Sequence, residues 1–327
     1  MAQYTNQLQI PLALAVFLAS DDYDYETGVI SATSLIKPVR QLILPKRMKP
    51  EEIVIDISSL VSSRMGSSIH SGIEKAWLNP VPALKALGYP KKVWGNILIN
   101  PTKEVLAQNP NAIPVYMEQR AYKEILGFKV SGKYDFVAEG KVQDFKSTSV
   151  YTYMNQTNVE KYILQGSIYR WLNPDIITED TMMIHYIFTD WSKASALQNK
   201  DYPQSRVLTQ RLKLLSVQET EQYILNKLTE YKHHLNSPEN EIPHCSEEDL
   251  WRKDSVWKYY RDPSKMTGRS TKNFDNRHDA YIRLAEDGNV GIVVEVRGQV
   301  NACKYCAAFN ICTQKDEYLK SGDLVLN

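Results

Sequence analysis

The sequence predicts an α/β fold: a mixed central β-sheet flanked by helices, followed by a C-terminal extension stapled by cysteines. Three observations predict it. Runs rich in β-branched and aromatic residues cluster at 113–149 and return at 181–189. Segments with helical apolar spacing stand on either side of the first cluster, at 56–78 and 158–172. All four cysteines lie beyond residue 244, as Cys245, Cys303, Cys306 and Cys312. The order helix, three strands, helix, strand describes a mixed sheet covered by helices.

The chain has 327 residues, 43% hydrophobic and 24% charged, enough for one large or two modest domains with a real core. Boundaries are expected at 1–55 for an N-terminal segment packed on the core, 56–240 for the core, and 241–327 for the C-terminal arm. The formal net charge is +1, so any basic surface must be local. Twenty tyrosines and six tryptophans suit either base stacking or plain packing. The apolar run Ile10–Ala19 is too short to span a bilayer, and no Lys or Arg precedes it. It is expected to be a buried segment of an intracellular protein with no membrane partner. No repeat and no GxxxxGK[ST] motif is present, so no built-in ATP motor is indicated.

Taken in order, Asp21, Asp22 and Asp24 form an acidic cluster that reads as a solvated turn or a metal site. Thr33 or Ser34 is expected to cap a short helix disturbed by Pro38. In the 56–78 helix, Ser58 or Ser59 is the expected N-cap, and Ile69, Ile73, Ala76 and Trp77 form the core stripe. His70 lies at the edge of that stripe, and Gly66, one turn below, leaves room under the imidazole. Three strand candidates follow at 113–125, 128–139 and 141–148. In the 158–172 helix Leu164, Ile168, Trp171 and Leu172 form the core stripe, with Lys161, Gln165 and Tyr169 as a polar ridge beside it. Residues 181–189 predict a strand. Residues 208–235 predict a helix that buries Leu214, Val217, Tyr223, Ile224 and Leu228. From Trp251 to Arg283 nine Lys and Arg stand against four Asp, interleaved with Trp and Tyr, which fits either a nucleic-acid-tracking surface or a solvated irregular segment.

The chemistry centres on Asp135 and on Asp144-Phe145-Lys146. A turn at Glu139-Gly140 joins their two strands. Asp144 and Lys146 leave the same face, and Phe145 points the other way. Two carboxylates at one sheet edge can hold a divalent cation through hard oxygen ligands. A lysine beside them can position water or stabilise charge on a phosphate. A cross-strand ion pair on a solvated face is the simpler alternative. The cysteines are spaced C-x2-C-x5-C with Cys245 far upstream, and four thiolates suffice for structural zinc or an iron–sulfur cluster.

With His70, Asp135, Asp144-Phe145-Lys146 and Gln165-x-x-x-Tyr169 in that order, the chain resembles the PD-(D/E)xK nuclease superfamily, specifically its RecB-like branch. The C-terminal cysteines look like the iron–sulfur staple of several members. The segments Ile30–Lys37, Cys245–Trp251 and Trp257–Arg261 look most like free-standing phage exonucleases. The resemblance covers roughly residues 20–315, and the ordered set is more specific than any one motif. Two departures stand out. Tyr134 replaces the usual proline, and Cys245 follows the Q-x-x-x-Y helix, where the relatives' lone cysteine precedes the histidine motif.

The resemblance implies a restriction-endonuclease-like αβββαβ core. It implies that His70, Asp135, Asp144 and the Phe145 carbonyl ligate Mg²⁺ or Mn²⁺, with Asp135, Asp144 and Lys146 catalytic. Lys146 would orient water. Gln165, Tyr169 and Lys161 would hold the DNA backbone, and Glu118 is a candidate extra acid. Cys245, Cys303, Cys306 and Cys312 would hold a 4Fe-4S cluster, with Zn²⁺ as the alternative. The implied activity is a metal-dependent DNA exonuclease in recombination or end processing, located in the cytoplasm, or the host cytoplasm if phage-encoded. Its expected partners are DNA and a separate helicase, or a single-strand-annealing or single-strand-binding protein. A structure-specific endonuclease, or a catalytically inactive nucleic-acid-binding module of the same fold, is the alternative.

Overall fold

The computed structural model describes residues 3–20, 26–49, 51 and 53–326. The acidic cluster at 21–24 lies outside the described residues. The chain forms two compact units, Met1–Lys37 with Pro50–Lys232, and Pro38–Lys49 with His233–Asn327. Among the described residues no helix is long and apolar enough to cross a membrane.

The strands of the first unit are, in chain order, β1 (Gln3–Thr5), β2 (Val29–Ser31), β3 (Val54–Asp56), β4 (Ile97–Ile99), β5 (Ile113–Met117), β6 (Arg120–Ile125), β7 (Phe128–Lys133), β8 (Phe136–Ala138), β9 (Lys141–Thr148), β10 (Thr181–Phe188) and β11 (Val207–Lys213). Six build a mixed sheet in the order β11-β10-β9-β8-β5-β4. β9 and β10 are parallel, and β8 is antiparallel to both β9 and β5. β2, β7 and β6 form a second sheet, and β1 pairs with β3. The β8–β9 turn falls at Glu139-Gly140, both with positive φ (51° and 69°), the primed geometry that suits the twist of a two-residue hairpin. Glycine is required at 140 because a side chain there would collide with Thr178.

Register explains why one strand carries polar residues on a buried face. Asp144 pairs with Ile184 and Lys146 with Tyr186, and Ile184 and Tyr186 are both buried. Phe145 pairs with His185, and their rings stack at 5.4 Å on the opposite face. There Phe145 joins Val115, Met117, Phe136 and Trp77 in an apolar cluster. The helix Val159–Leu172 is buried over most of its second half and packs closely on β7 at Gly132. A Cβ there would lie 2.7 Å from Leu172 and 2.9 Å from Tyr169.

The structure corrects several expectations. The first two strand candidates are each split, 113–125 into β5 and β6 and 128–139 into β7 and β8, because the chain changes sheets at both breaks. Asp135 therefore sits in the gap between β7 and β8 and not within a strand. Residues 207–213 are strand β11, and the helix begins only at Val217. The alternating pattern of 207–213 supports edge pairing with β10. Val217 is half exposed in that helix's first turn. Residues 12–19 form a helix in which only Leu18 is buried, because two turns can press just one side against a neighbour. Ser31, one turn earlier than expected, caps the helix Ala32–Leu35. Asp56 accepts from the Ser58 amide ahead of a 3₁₀ turn, and the long helix runs Val61–Leu78. Ala76 is exposed, so that helix's stripe is Ile69, Ile73 and Trp77, each half-buried. Gly66 does not leave open space, since a Cβ there would meet Ser147 Oγ at 3.3 Å.

The second unit has a three-stranded antiparallel sheet of β12 (Val256–Tyr260), β13 (Lys272–Phe274) and β14 (Ile292–Val296), with β12 central. The helix Arg277–Glu286 packs on it. Elsewhere the helices Val39–Arg47 and Thr313–Ser321 and short 3₁₀ turns surround a core of Leu250, Val300, Cys303 and Leu324.

Candidate functional site

The first unit's site forms where the chain passes from β7 in the second sheet to β8 in the main sheet. β8 ends its pairing with β9 at Phe136↔Gln143, so residues 144–146 of β9 have β10 on one side only. The freed Phe145 amide donates to Asp135 Oδ2 at 3.3 Å. The gap also lets groups from both faces of the sheet meet. His70 approaches from the Val61–Leu78 helix, with Nδ1 3.2 Å from Asp135 Oδ2 and Nε2 2.7 Å from the Phe145 carbonyl oxygen. A carbonyl only accepts, so Nε2 donates, and this fixes Nδ1 as the nitrogen turned toward the carboxylates.

Glu118 completes the arrangement. It occupies the β5–β6 turn with φ 51°, a left-handed conformation uncommon for a residue with a side chain, and its amide donates to the Asp135 carbonyl at 3.3 Å. The Asn100 side chain brackets the preceding Met117 backbone at 2.8 and 3.2 Å and steadies this turn. One ligand atom each from His70, Glu118 and Asp135 lies within 4.8 Å of the other two. Lys133 pairs with Glu118 at 2.8 Å.

Asp144 stands beside this trio, buried, with Oδ2 2.5 Å from Lys146 Nζ. Lys146 Nζ also lies 5.2 Å from the centre of the Tyr162 ring. Burial pushes Asp144 up to about 7 against the pull of Lys146, and the neighbouring Asp135 charge adds to the rise. Burial also acts on Asp135, but hydrogen bonding and charge from His70, with Lys146 behind them, outweigh it and hold that carboxyl below its ordinary range. His70 is raised despite burial, chiefly by Asp135, and Lys146 is raised despite burial by both aspartates. Glu118 is raised by burial, with Lys133 opposing.

These features test the site against a divalent cation. Both nitrogens of His70 face acceptors, so without a cation the ring must carry a second proton. The proton on Nδ1 then stands between imidazole and carboxylate, where a cation would otherwise lie. Three converging ligand atoms with a buried carboxylate beside them fit a small hard cation. The sequence-predicted residues His70, Asp135, Asp144 and Lys146 are thus brought together, and Glu118 with them. The Phe145 carbonyl accepts from His70 Nε2. Gln165 and Tyr169 are buried, and Gln165 Nε2 donates to Tyr169 Oη at 2.7 Å. Of the expected polar ridge only Lys161 is partly exposed.

The second unit holds a separate donor set. Cys245, Cys303, Cys306 and Cys312 line one cavity of about 20 Å³ together with Arg40, Leu250, Phe309 and Gln314. None of the four forms a disulfide. Successive turns present them: the Cys306 amide bonds the Cys303 carbonyl at 3.2 Å, and the Phe309 amide bonds the Cys306 carbonyl at 3.0 Å. Gln314 clamps Cys245 through its amide and its carbonyl, each at 2.9 Å. Burial pushes the Cys245 thiol up to about 12 and the Cys303 thiol up to about 11. The four sulfurs do not gather within 4.8 Å as the His70, Glu118 and Asp135 atoms do.

Sequence reasoning missed Arg40. Its guanidinium is buried, ion-paired with Glu239, 2.8 Å from the Ile242 carbonyl and 3.3 Å from Cys312 Sγ. The one available signal was a cation set among Val39, Leu42, Ile43 and Leu44 on a short apolar helix.

The fold is mixed α/β, with a mixed sheet flanked by helices, and the site joins imidazole, carboxylates and ammonium at a break in that sheet. No family model and no curated protein matches the chain. Among solved structures it is similar to a protein called SSO0001, at 19% identity over 66% of this chain and 81% of that one, with a TM-score of 0.38. It is also similar to a phage related exonuclease from Haemophilus somnus 129PT, at 17% identity over 41% of this chain and 66% of that one, with a TM-score of 0.26. Likeness at these scores carries no argument about function.

Proposed function

We propose that this chain is a divalent-metal-dependent deoxyribonuclease of the PD-(D/E)xK type, acting as an exonuclease in recombination or end processing. The observation that carries the reading is the convergence of His70, Glu118 and Asp135 ligand atoms within 4.8 Å, with the Asp144–Lys146 pair on β9 beside them. His70 Nδ1, Asp135, Glu118 and Asp144 would hold Mg²⁺ or Mn²⁺. When bound, such a cation supplies Lewis-acid polarisation of a phosphodiester and lowers the pKa of water. The chain's own part is orientation and charge. Lys146 holds a water or a phosphate oxygen in line, and its ammonium offsets the charge that grows in the transition state. The His70–Phe145 hydrogen bond keeps the imidazole from turning away. Gln165 and Tyr169 stiffen the helix beneath the site and do not touch substrate.

For the second unit we propose a 4Fe-4S cluster as the occupant of the cysteine cavity, with Zn²⁺ as the alternative. Zinc–sulfur bonds of about 2.3 Å require sulfurs within roughly 4 Å of one another. Four free thiols that line one cavity support a cysteine-bound occupant of either kind. DNA is the proposed partner, with a separate helicase, annealing protein or single-strand-binding protein working beside the nuclease, in the cytoplasm, the host's if the protein is phage-encoded.

The test is digestion of end-labelled linear and closed circular DNA in Mg²⁺, Mn²⁺ and EDTA. Metal-dependent loss of linear DNA that Lys146→Ala abolishes is expected. Cutting of closed circles would make the protein an endonuclease, and full activity in Lys146→Ala would overturn the site.

A further inference from the structure

The β12–β13 hairpin and the helix after it are a second cluster of charge, unused by either site. Residues 256–283 hold seven Lys and Arg against three Asp, in a chain whose total is +1. The connection 261–271 is almost wholly exposed and carries Arg261, Lys265 and Arg269. Lys272 follows on β13, and Arg277 opens the helix. Lys265 has Asp262 at 3.4 Å, and Arg283 has Asp287 at 3.0 Å. Among the described residues no carboxylate lies within 4.0 Å of Lys258, Arg261, Arg269, Lys272 or Arg277.

Aromatic rings are set between these cations. Trp257 and Phe274 are cross-strand partners, as are Tyr259 and Lys272, so all four share a face. Tyr259 anchors that face, fully buried, with Oη 2.8 Å from Asp287 Oδ2 and 2.9 Å from the Val290 carbonyl. Around this anchor the Arg277 guanidinium lies 5.8 Å from the Trp257 ring and 5.3 Å from the Tyr281 ring. Lys272 Nζ lies 4.8 Å from the Phe274 ring. Tyr281 is 43% exposed.

We infer that this hairpin and helix form a single-stranded nucleic-acid surface. Arg261, Arg269 and Lys272 take successive phosphates, and an unpaired base stacks on Tyr281 beside Arg277. The five cations with no carboxylate within 4.0 Å leave a local excess of positive charge, which a polyanion offsets while releasing its own counterions. A run of Asp and Glu side chains would supply the charge but has no flat ring for the exposed tyrosine, whereas every unpaired base does. The inference rests on the nuclease reading only for the choice of DNA as the strand.

The experiment uses the full chain and fluorescent single-stranded oligonucleotides in EDTA, where hydrolysis is off, with anisotropy read across a salt series. In the triple variant Arg261→Gln/Arg269→Gln/Lys272→Gln the Kd should rise at least about tenfold. The salt slope should fall by about two, since each lost phosphate contact on a single strand removes roughly 0.7. Tyr281→Ala should weaken binding with the slope unchanged. Unchanged melting temperature in both variants, whose altered side chains are exposed, confirms that folding is intact. An unchanged Kd in the triple variant overturns the inference, as does polyglutamate of equal length binding as tightly as the oligonucleotide. Loss of binding in a protein that never cleaves DNA would retain this surface and remove the nuclease reading. Cleavage with unchanged binding would do the reverse.

Discussion

The two donor sets of this chain differ in how they manage charge before any ligand arrives. In the first unit, acidic groups are brought together in a sheet gap, and the chain supplies its own cations. Lys146 stands against Asp144, Lys133 against Glu118, and His70 against Asp135. In the second unit the donors are thiols, two of which, Cys245 and Cys303, burial pushes up, and one neighbouring charge, Arg40, is already paired with Glu239. A site of hard oxygens must be balanced when empty, because buried like charges cannot coexist. A site of soft sulfurs can stay neutral and ionise only on binding. Empty, the first is a network of ion pairs held in tension, and the second is an apolar cavity.

The largest expected effect breaks the first set without touching the second. Lys146→Ala or Asp144→Asn should reduce DNA hydrolysis by about 10²–10³-fold, the usual loss when one transition-state charge partner is removed. Iron or zinc content should not change, as metal analysis will show. The converse is Cys303→Ala, which should empty the cysteine cavity and lower the melting temperature by about 5 °C or more, since metal binding contributes to folding. Calorimetry on the anaerobically purified protein checks this. If that variant also loses Mn²⁺ binding, the two sets are energetically linked and the contrast between them fails.

A smaller effect separates Glu118 from Asp144. Glu118→Gln should raise the Mn²⁺ concentration for half-maximal hydrolysis by about tenfold, a loss typical of weakened metal support, with little change in rate at saturation. A fall in saturated rate equal to that of Asp144→Asn would make the two carboxylates equivalent.

The smallest effect is in pH. Asp144 has a folded pKa raised to about 7, and His70 is also raised. A raised group stabilises the fold at low pH and loses that contribution as pH rises through its folded value. In EDTA the melting temperature should therefore decline from the ordinary carboxylate range toward pH about 7, flattened in Asp144→Asn and offset by Mn²⁺. A rise in stability over that interval would show that the proton is not shared there.

His70, Asp144 and Lys146 were legible because they lie on regular elements. Two-residue spacing puts Asp144 and Lys146 on one face, and Glu139-Gly140 is a hairpin turn that its own residue types demand. The strand breaks were not legible. Residues 128–139 form one unbroken apolar-rich run, and only the pairing of β7 with β2 and β6 pulls it out of the main sheet before Asp135. Strand β11 was hidden because Val207–Lys213 alternates with polar residues and runs straight toward a helix. The polar ridge of Gln165 and Tyr169 is periodic in sequence, but both residues lie where the helix is buried over most of its second half.

By itself the sequence determined periodicity and donor chemistry: which stretches alternate, which repeat every three to four residues, where hard oxygens and soft sulfurs stand. These are local properties of side chains and backbone. Tertiary structure decided that Glu118 meets His70 and Asp135, that Arg40 reaches Cys312, and that Asp144 is buried beside Lys146. Those contacts join residues separated by up to 272 positions. They depend on which strand pairs with which, a choice made by the packing of whole faces and not by any one residue's preference.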